Sequence, residues 1–425
     1  MALDETEPSV LAGEADPEEG ARRIAWARAN MPVLERVRQR LGRERPLAGQ
    51  RVGVCLHVRA KTAVLVETLR AGGADVVLTG SPATTDDAVA AALARDPGVR
   101  VYARGADALA EHSAHVERVL DAVPDLLLDN GAELIAASLL RPGSRVVAAT
   151  EETTSGALRL REELAGRLPF PVVVVNDSPL KLLLENQHGV GPSVVEGFMR
   201  ATNCTVAATT FAVVGYGFCG RGIARSLRGL GAAVIVVERD PVRALEAAFD
   251  GMRVMDLRRA LGRADVVITA TASAGVVGRD ELIALRDGAI LANAGHFASE
   301  IDVSALEALA VSRRELTADV VEYTLSDGRR VRLLDGGEML NLTAASGNPI
   351  QVMDAGYSLQ ALSLRALALA PGDFVPGPQP VPAAIDREVA LHMLQTLSVV
   401  ELGAEASPTE PASAHAGRPR RSTTA

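Results

Sequence analysis

Apolar residues along this chain keep two rhythms. Short runs that are apolar almost throughout, RVGVCLH (51–57), DVVLTG (75–80), VRVYA (99–103), DLLLDN (125–130), RVVAAT (145–150) and PVVVVN (171–176), alternate with stretches whose apolar residues recur at helical spacing. KTAVLVETLRAGG (61–73) is one such stretch, and others begin at Thr85 and Ala106. Strands of that kind are buried on both faces, and their alternation with helices predicts a largely parallel sheet covered on either side. A helical pattern precedes them from residue 21 to about residue 41, with Trp26, Met31, Leu34 and Val37 expected in the core. A second series of strands covers 211–214, 265–271 and 289–295, then a β-rich stretch around VEYTL (321–325) and RRVRLL (329–334). From Pro376 a Pro- and Gly-rich run reads as a linker, followed by a short helix over 385–397. Residues 1–20, acidic and rich in Pro and Gly, and the low-complexity tail 404–425 are expected to be disordered.

The strand at 211–214 leads straight into Gly215-x-Gly217-x-x-Gly220, then a helical stretch through Leu230, then a second apolar strand ending at Glu238. In that order each residue has a task. Gly215 permits the tight turn, Gly217 lets the backbone approach a pyrophosphate, and Gly220 lets the helix pack against the strand with its N-terminus facing the phosphates. Glu238, about 20 residues on, is placed to accept from ribose hydroxyls. A carboxylate there repels a 2′-phosphate, so NAD is expected over NADP, with the neighbouring Arg239 working the other way. The bland alternative is a glycine-rich turn, but the flanking strand, helix and acid favour the dinucleotide site.

Composition narrows the rest. The 425 residues carry a net charge of −9 and only 3% aromatics, so the cores must be built from Ala, Val and Leu, and neither nucleic acid nor an anionic membrane is an expected partner. Cys55, Cys204 and Cys219 are too few and scattered for a disulfide framework or a zinc site, and no metal is expected. The acidic N-terminus lacks the order of a signal peptide, and no apolar run approaches the roughly 20 residues that span a bilayer, so a cytoplasmic location is expected.

Chemistry in open α/β sheets sits beyond the carboxyl ends of strands. His57, Asn130, Glu152, Asp177 and His296 all fall at such ends. Around them the chain resembles the S-adenosyl-L-homocysteine hydrolases. The resemblance rests on collinear segments from about residue 21 to 403: ARANMPVLERVR (27–38), CLHVRAKTAVLVETLRAGGADV (55–76), EETTSGALRL (151–160), VNDSPLKLLLENQHGVGPSVVEGFMRATN (175–203), GYGFCGRG (215–222), VERDPVRALEAAFDG (237–251), NAGHFASEID (293–302) and NLTAASGNPIQVMDAGYS (341–358).

The resemblance implies a reaction. Bound NAD oxidises the 3′-hydroxyl of a nucleoside to a ketone, which acidifies the C4′–H. Homocysteine is then eliminated, water adds at C5′, and return of the hydride gives adenosine with the cofactor unchanged. It also implies roles. Lys181 and Glu185, at i,i+4 on one helix face, would take the 3′-hydroxyl proton, where a surface ion pair is the bland reading. Glu152 would bind the ribose, with Thr153, Thr154 and Ser155 facing cofactor or ribose unless they only cap a helix. His57 and His296 would stand near the 5′ position, Thr62 would lie along the nucleoside site, and Asn186 and Asn341 would contact the cofactor.

Departures from the pattern are also plain. Asn130 stands where the family carries a second Asp, a proton acceptor for C4′ or the 5′-water, and an amide cannot accept that proton. Arg59 replaces a Thr beside the nucleoside, Lys61 a Gln or Glu near the base edge, and Asn348 a gate His. Glu185 replaces Asp. The Lys- and Tyr-bearing tail that reaches a neighbouring subunit's NAD is absent, with only Arg420 and Arg421 as substitutes. Three functions therefore stay open: the family hydrolase, a paralogue applying the same oxidation to another nucleoside in specialised biosynthesis, and an NAD-binding regulator without turnover. Arg59 and Lys61 would suit an anionic 5′ substituent or a base bearing a carbonyl.

The expected fold is α/β, with two doubly wound parallel-sheet domains and the Rossmann NAD domain (189–346) inserted in the substrate domain (21–188 with 347–375). A C-terminal segment, 376–403, is expected to serve a homo-oligomer, dimer or tetramer.

Overall fold

The computed structural model describes residues 8–81, 84–295 and 298–398. Two sheets organise it. The first contains β1 (Arg51–Cys55), β2 (Asp75–Thr79), β3 (Val99–Tyr102), β4 (Leu126–Asp129), β5 (Ala148–Glu151), β6 (Pro171–Val174) and, from far along the chain, β15 (Gly377–Pro380). Its order is β15-β6-β5-β4-β1-β2-β3, parallel throughout. The second contains β7 (Thr210–Val214), β8 (Ala233–Val237), β9 (Arg253–Val254), β10 (Val266–Thr269), β11 (Ala289–Asn293), β12 (Ala310–Thr317), β13 (Val320–Leu325) and β14 (Arg330–Leu334). It runs β12-β13-β14-β11-β10-β7-β8-β9, parallel except where β12 and β13 add an antiparallel edge.

The chain leaves the first sheet after β6, builds the second, and returns through the helix Ile350–Leu369, whose Met353, Leu359, Leu362 and Leu364 join the core beneath β1 and β2. The nucleotide-binding unit is thus inserted in the first α/β domain. Buried strands apolar at nearly every position, VVIT in β10 or LLL in β4, show why the pattern read as parallel sheet.

Four expectations need correction. The helical pattern over 21–41 is two helices, Pro17–Ala29 and Pro32–Glu44, because the residue before a proline is pushed out of the α region and Met31 is not helical. Met31, Leu34 and Val37 are buried, but Trp26 is 67% exposed and lies outside the core. Residues 8–20 are ordered: Val10 bridges to Tyr102, and Asp16 caps Pro17–Ala29 by accepting from Glu18 N. The run after Pro376 is no linker but the edge strand β15, the one place where Pro378 and Pro380 leave no ladder donor missing on the open side. The tail 404–425, with Arg420 and Arg421, lies outside the described residues.

Helix Pro32–Glu44 has no cap of its own. Asp354, on the returning helix, supplies it by accepting from Val33 N (3.0 Å) and Leu34 N (2.7 Å). Removing a buried acceptor from two N–H groups costs about 1–3 kcal/mol. Asp354→Ala should therefore lower the melting temperature by several degrees and Asp354→Asn by less, as calorimetry would read; equal melting of all three proteins would deny the cap.

Between β6 and β7 the backbone changes gear. Pro179–Lys181 is one α-helical turn, Leu182–Gly189 is π-helical, and Val190–Thr202 is α-helical again. At two points this segment meets the helix Phe218–Gly229 backbone to backbone. A Cβ on Gly222 would overlap the Gln187 carbonyl oxygen, and one on Gly191 would overlap that of Gly222.

Candidate active site

The glycines after β7 form a cradle. Gly215 has φ +98°, and a Cβ there would lie 2.6 Å from Ala270 O; one on Gly220 would overlap Gly215 O. Gly217 is different, since a Cβ there would meet nothing closer than Arg243 Nη1 at 3.9 Å. Space is thus left over the N-terminus of Phe218–Gly229, as close approach of a pyrophosphate requires. Glu238, after β8, accepts from Tyr216 N (2.7 Å), Arg239 N (2.7 Å) and Asp240 N (2.9 Å), which fixes the carboxylate beside the glycine turn with lone pairs still free for ribose hydroxyls. These residues fit a dinucleotide. Glu300, which the sequence reading passed over, closes the loop after β10 by accepting from Thr271 N, Thr271 Oγ1 and Ala272 N.

Lys181 and Glu185 are buried against this cradle. Ser178 caps the turn by accepting from Lys181 N at 3.0 Å. Lys181 Nζ donates to Asn176 Oδ1 (3.0 Å) and Asn186 Oδ1 (3.1 Å) and stands 4.0 Å from Glu185 Oε2. Glu185 Oε1 has no hydrogen-bond partner and packs on Gly356, where a Cβ would overlap it. Burial pushes Glu185 up to about 8, with Lys181 opposing and Glu152 reinforcing the shift. Lys181 is also near enough to Cys219, on the cofactor helix, to work against the burial that raises its thiol to about 11. A solvated surface pair is thereby excluded.

Glu152 follows β5, is buried, and its carboxylate makes no hydrogen bond among the described residues; burial raises its pKa against the pull of Lys181. Its neighbour Glu151 is the organiser, accepting from Ala132 N (2.9 Å), Thr153 N (2.7 Å) and Thr153 Oγ1 (2.7 Å). Thr153 is occupied as the cap of helix Thr154–Arg161, Thr154 is exposed, and Ser155 is buried beside Thr153. For Thr153 the capping role accounts for its contacts.

At the ends of β1 and β4 a tautomer can be read. Thr84 Oγ1 donates to Ser81 O (2.8 Å), so it accepts from His57 Nδ1 (2.9 Å), and His57 Nε2 is left to accept from the Asn130 amide at 3.3 Å. The Asn130 amide thus lies against the Nε2 edge of the His57 ring. Thr62 Oγ1 donates to His57 O and accepts from Tyr357 OH at 2.9 Å. Tyr357 was not foreseen as a site residue. Arg59 spends part of its fork within the protein, Nε and Nη2 donating to Thr84 O (2.9 Å) and Leu342 O (2.6 Å). Lys61 Nζ donates to Ser346 O (2.7 Å) and Asn348 O (2.5 Å), while the Asn348 side chain faces Ser193 and Met353. Asn341 is buried on the short helix Leu340–Thr343. His296 lies outside the described residues. Cys55, His112 and Glu133 do bring their donor atoms within 4.8 Å of one another, but His112 Nε2 is hydrogen-bonded to Glu133, which makes a histidine–carboxylate pair beside a buried thiol.

Residues 186–347 match the NAD-binding domain of S-adenosyl-L-homocysteine hydrolase, and residues 14–146 match S-adenosyl-L-homocysteine hydrolase itself. The chain belongs to the S-adenosyl-L-homocysteine hydrolase family. This hydrolase is 47% identical over 386 residues to the S-inosyl-L-homocysteine hydrolase of Methanopyrus kandleri (89% of this chain, 91% of the relative). It is 43% identical over 387 residues to the adenosylhomocysteinase of Aquifex aeolicus (90% and 93%) and 45% over 386 to that of Aeropyrum pernix (90% and 92%). The hydrolase is accordingly an enzyme that uses NAD, and the regulator reading falls away. No helix among its described residues is long and apolar enough to cross a membrane.

Proposed function

We propose that this hydrolase cleaves the 5′-thioether of an S-nucleosyl-L-homocysteine, S-adenosyl-L-homocysteine or its close purine analogue, to a nucleoside and homocysteine. The observation that carries the reading is the buried Lys181–Glu185 pair set against the cofactor cradle, with Glu185 Oε1 unpartnered. Lys181 takes the proton of the 3′-hydroxyl, held in place by Asn176 and Asn186, and Glu185 shares it. Glu152 accepts from the ribose hydroxyls, since its carboxylate has no other partner among the described residues. NAD, when bound at Gly215, Gly217, Gly220 and Glu238, supplies the oxidant at the 3′-carbon and is restored within the cycle. His57, held between Thr84 and Asn130, moves a proton at the 5′ side between the departing sulfur and the incoming water. Asn130 cannot be a base; it orients His57.

The test uses the NAD-loaded full chain with S-adenosyl- and S-inosyl-L-homocysteine. Free homocysteine thiol should appear in equimolar amount with the nucleoside from at least one of them. No thiol from either would overturn the reading.

A homo-oligomer, dimer or tetramer, is part of the proposal. Val242, Leu245 and Phe249 make an apolar stripe on Pro241–Phe249, 74, 59 and 85% exposed.

A further inference from the structure

Three side chains that the hydrolysis does not use converge beside its 5′ end. Cys55 closes β1, two residues before His57; His112 stands on the helix Leu109–Asp121; and Glu133 opens the helix Glu133–Leu139, three residues after Asn130. Their sulfur, ring nitrogen and carboxylate oxygen all lie within 4.8 Å of one another. Cys55 is fully buried and His112 is 2% exposed, whereas the Glu133 side chain is 38% exposed and opens the cluster to solvent. His112 Nδ1 is buried without a hydrogen-bond partner among the described residues, so the ring is held through Nε2 and Glu133.

The charges behind this cluster are negative. Asp129 accepts from Asn130 N (2.9 Å) and Ile135 N (2.8 Å), and Glu151 from backbone N–H groups and the Thr153 hydroxyl, so neither is neutralised by a cationic side chain among the described residues. Burial, and then the charges of Asp129, Glu133 and Glu151, hold the Cys55 thiol in its protonated form. Such a potential favours a cation, and a metal ion deprotonates a thiol that coordinates it. Donor type then decides which cation. Calcium and magnesium take oxygen ligands, while a thiolate with an imidazole and a carboxylate suits zinc and the metals that replace it, with water in a fourth, solvent-facing position. His112 and Glu133 thus supply what three scattered cysteines could not.

We propose that Cys55 Sγ, His112 Nε2 and the Glu133 carboxylate form a binding site for a thiophilic divalent cation of the zinc class, and that its occupation slows the 5′ half of the reaction. The metal takes the place of the proton between His112 and Glu133 and of the proton on the Cys55 sulfur, and both protons leave to solvent. Zinc–ligand bonds of about 2.0–2.3 Å draw donors now up to 4.8 Å apart closer by up to about 1 Å. The segments drawn together carry His57 and Asn130, whose amide is 3.3 Å from His57 Nε2. A displacement of about 1 Å at a catalytic contact costs about 10²-fold. Lys181 and Glu185 lie on other elements, so oxidation at the 3′ side is left alone.

Cobalt(II), which replaces zinc and absorbs light, reads the site on the NAD-loaded full chain. Titration should raise a thiolate-to-cobalt charge-transfer band that saturates at a single equivalent and is displaced by zinc. Cys55→Ser should abolish the band, and Cys204→Ser and Cys219→Ser should keep it. His112→Gln, whose amide can still donate to Glu133, should weaken binding by about 10²-fold or more, since losing a ligand costs at least as much as losing an outer-shell partner. No band in the wild type, or a band that depends on Cys204 or Cys219, overturns the site. Zinc should also slow release of nucleoside from S-adenosyl- or S-inosyl-L-homocysteine by about 10²-fold while NADH formation on mixing with nucleoside is unchanged, and His112→Gln should escape at the same zinc concentration. Zinc that leaves the wild type unslowed, slows His112→Gln equally, or suppresses NADH formation overturns the effect on the 5′ half. That second arm rests on the hydrolase reading. If the metal-free enzyme releases no nucleoside from either thioether, the hydrolase reading fails, and the cobalt band still decides the site.

Discussion

Lys181→Met is expected to leave NAD bound while slowing oxidation of the 3′-hydroxyl by about 10³-fold, within the range lost with a positioned proton acceptor. Methionine keeps the length and burial of the side chain but cannot take a proton. The surroundings should hold, because Asn186 Nδ2 still donates to Asn176 Oδ1 at 3.2 Å. The pH dependence has a definite sign. A carboxyl raised to about 8 is protonated below that value and anionic above it, so at neutral pH the Lys181–Glu185 pair holds a proton that it must lose before it can accept another. Oxidation by the wild type should therefore rise with pH and reach half its plateau near pH 8, and Glu185→Gln should flatten that limb. Stopped-flow absorbance of NADH on mixing with nucleoside reads both. Undiminished oxidation in Lys181→Met, or a pH-independent wild type, would take the pair out of the reaction.

A quieter substitution should be nearly as damaging. Gly356→Ala places a methyl group where Glu185 Oε1 now lies. The carboxylate is the end of a flexible side chain and can rotate away, whereas the helix Ile350–Leu369 is locked into the core and cannot. The outcome should be a folded protein with a separated pair, about 10²-fold slower in oxidation and no longer titrating near pH 8. Near-wild-type melting together with lost activity is the expected signature. A variant with full activity would show that Glu185 does not need its present position.

How much of this could be read in advance depends on whether a residue's role is local. The glycine turn and Glu238 were legible because strand, turn, helix and acid are contiguous and each has its own steric reason. Lys181 and Glu185 were legible as a helical pair, but the π-helical geometry from Leu182 to Gly189 leaves no mark in residue type. Trp26 and the break at Met31 show where periodicity misled, since the apolar spacing continued through a proline that the backbone could not follow. Pro378 and Pro380 argued against a strand, and only the edge position of β15 makes them acceptable. Tyr357, Glu300 and Asp354 escaped because their partners are remote in sequence: Asp354 caps a helix some 320 residues away. An arginine in a loop does not disclose which carbonyls it will find, and for Arg59 these are Thr84 O and Leu342 O.

The bare backbone seam between Gly222 and Gln187 bears on how this enzyme could change over time. Where Gly222 and Gly191 bring the two main chains together, the spacing between the glycine cradle and the segment that carries Lys181 has almost no room to drift. The Gly347 turn, by contrast, is tied down by one side chain, Lys61, through the carbonyls of Ser346 and Asn348. A change at Lys61 would loosen that turn while the seam keeps its spacing.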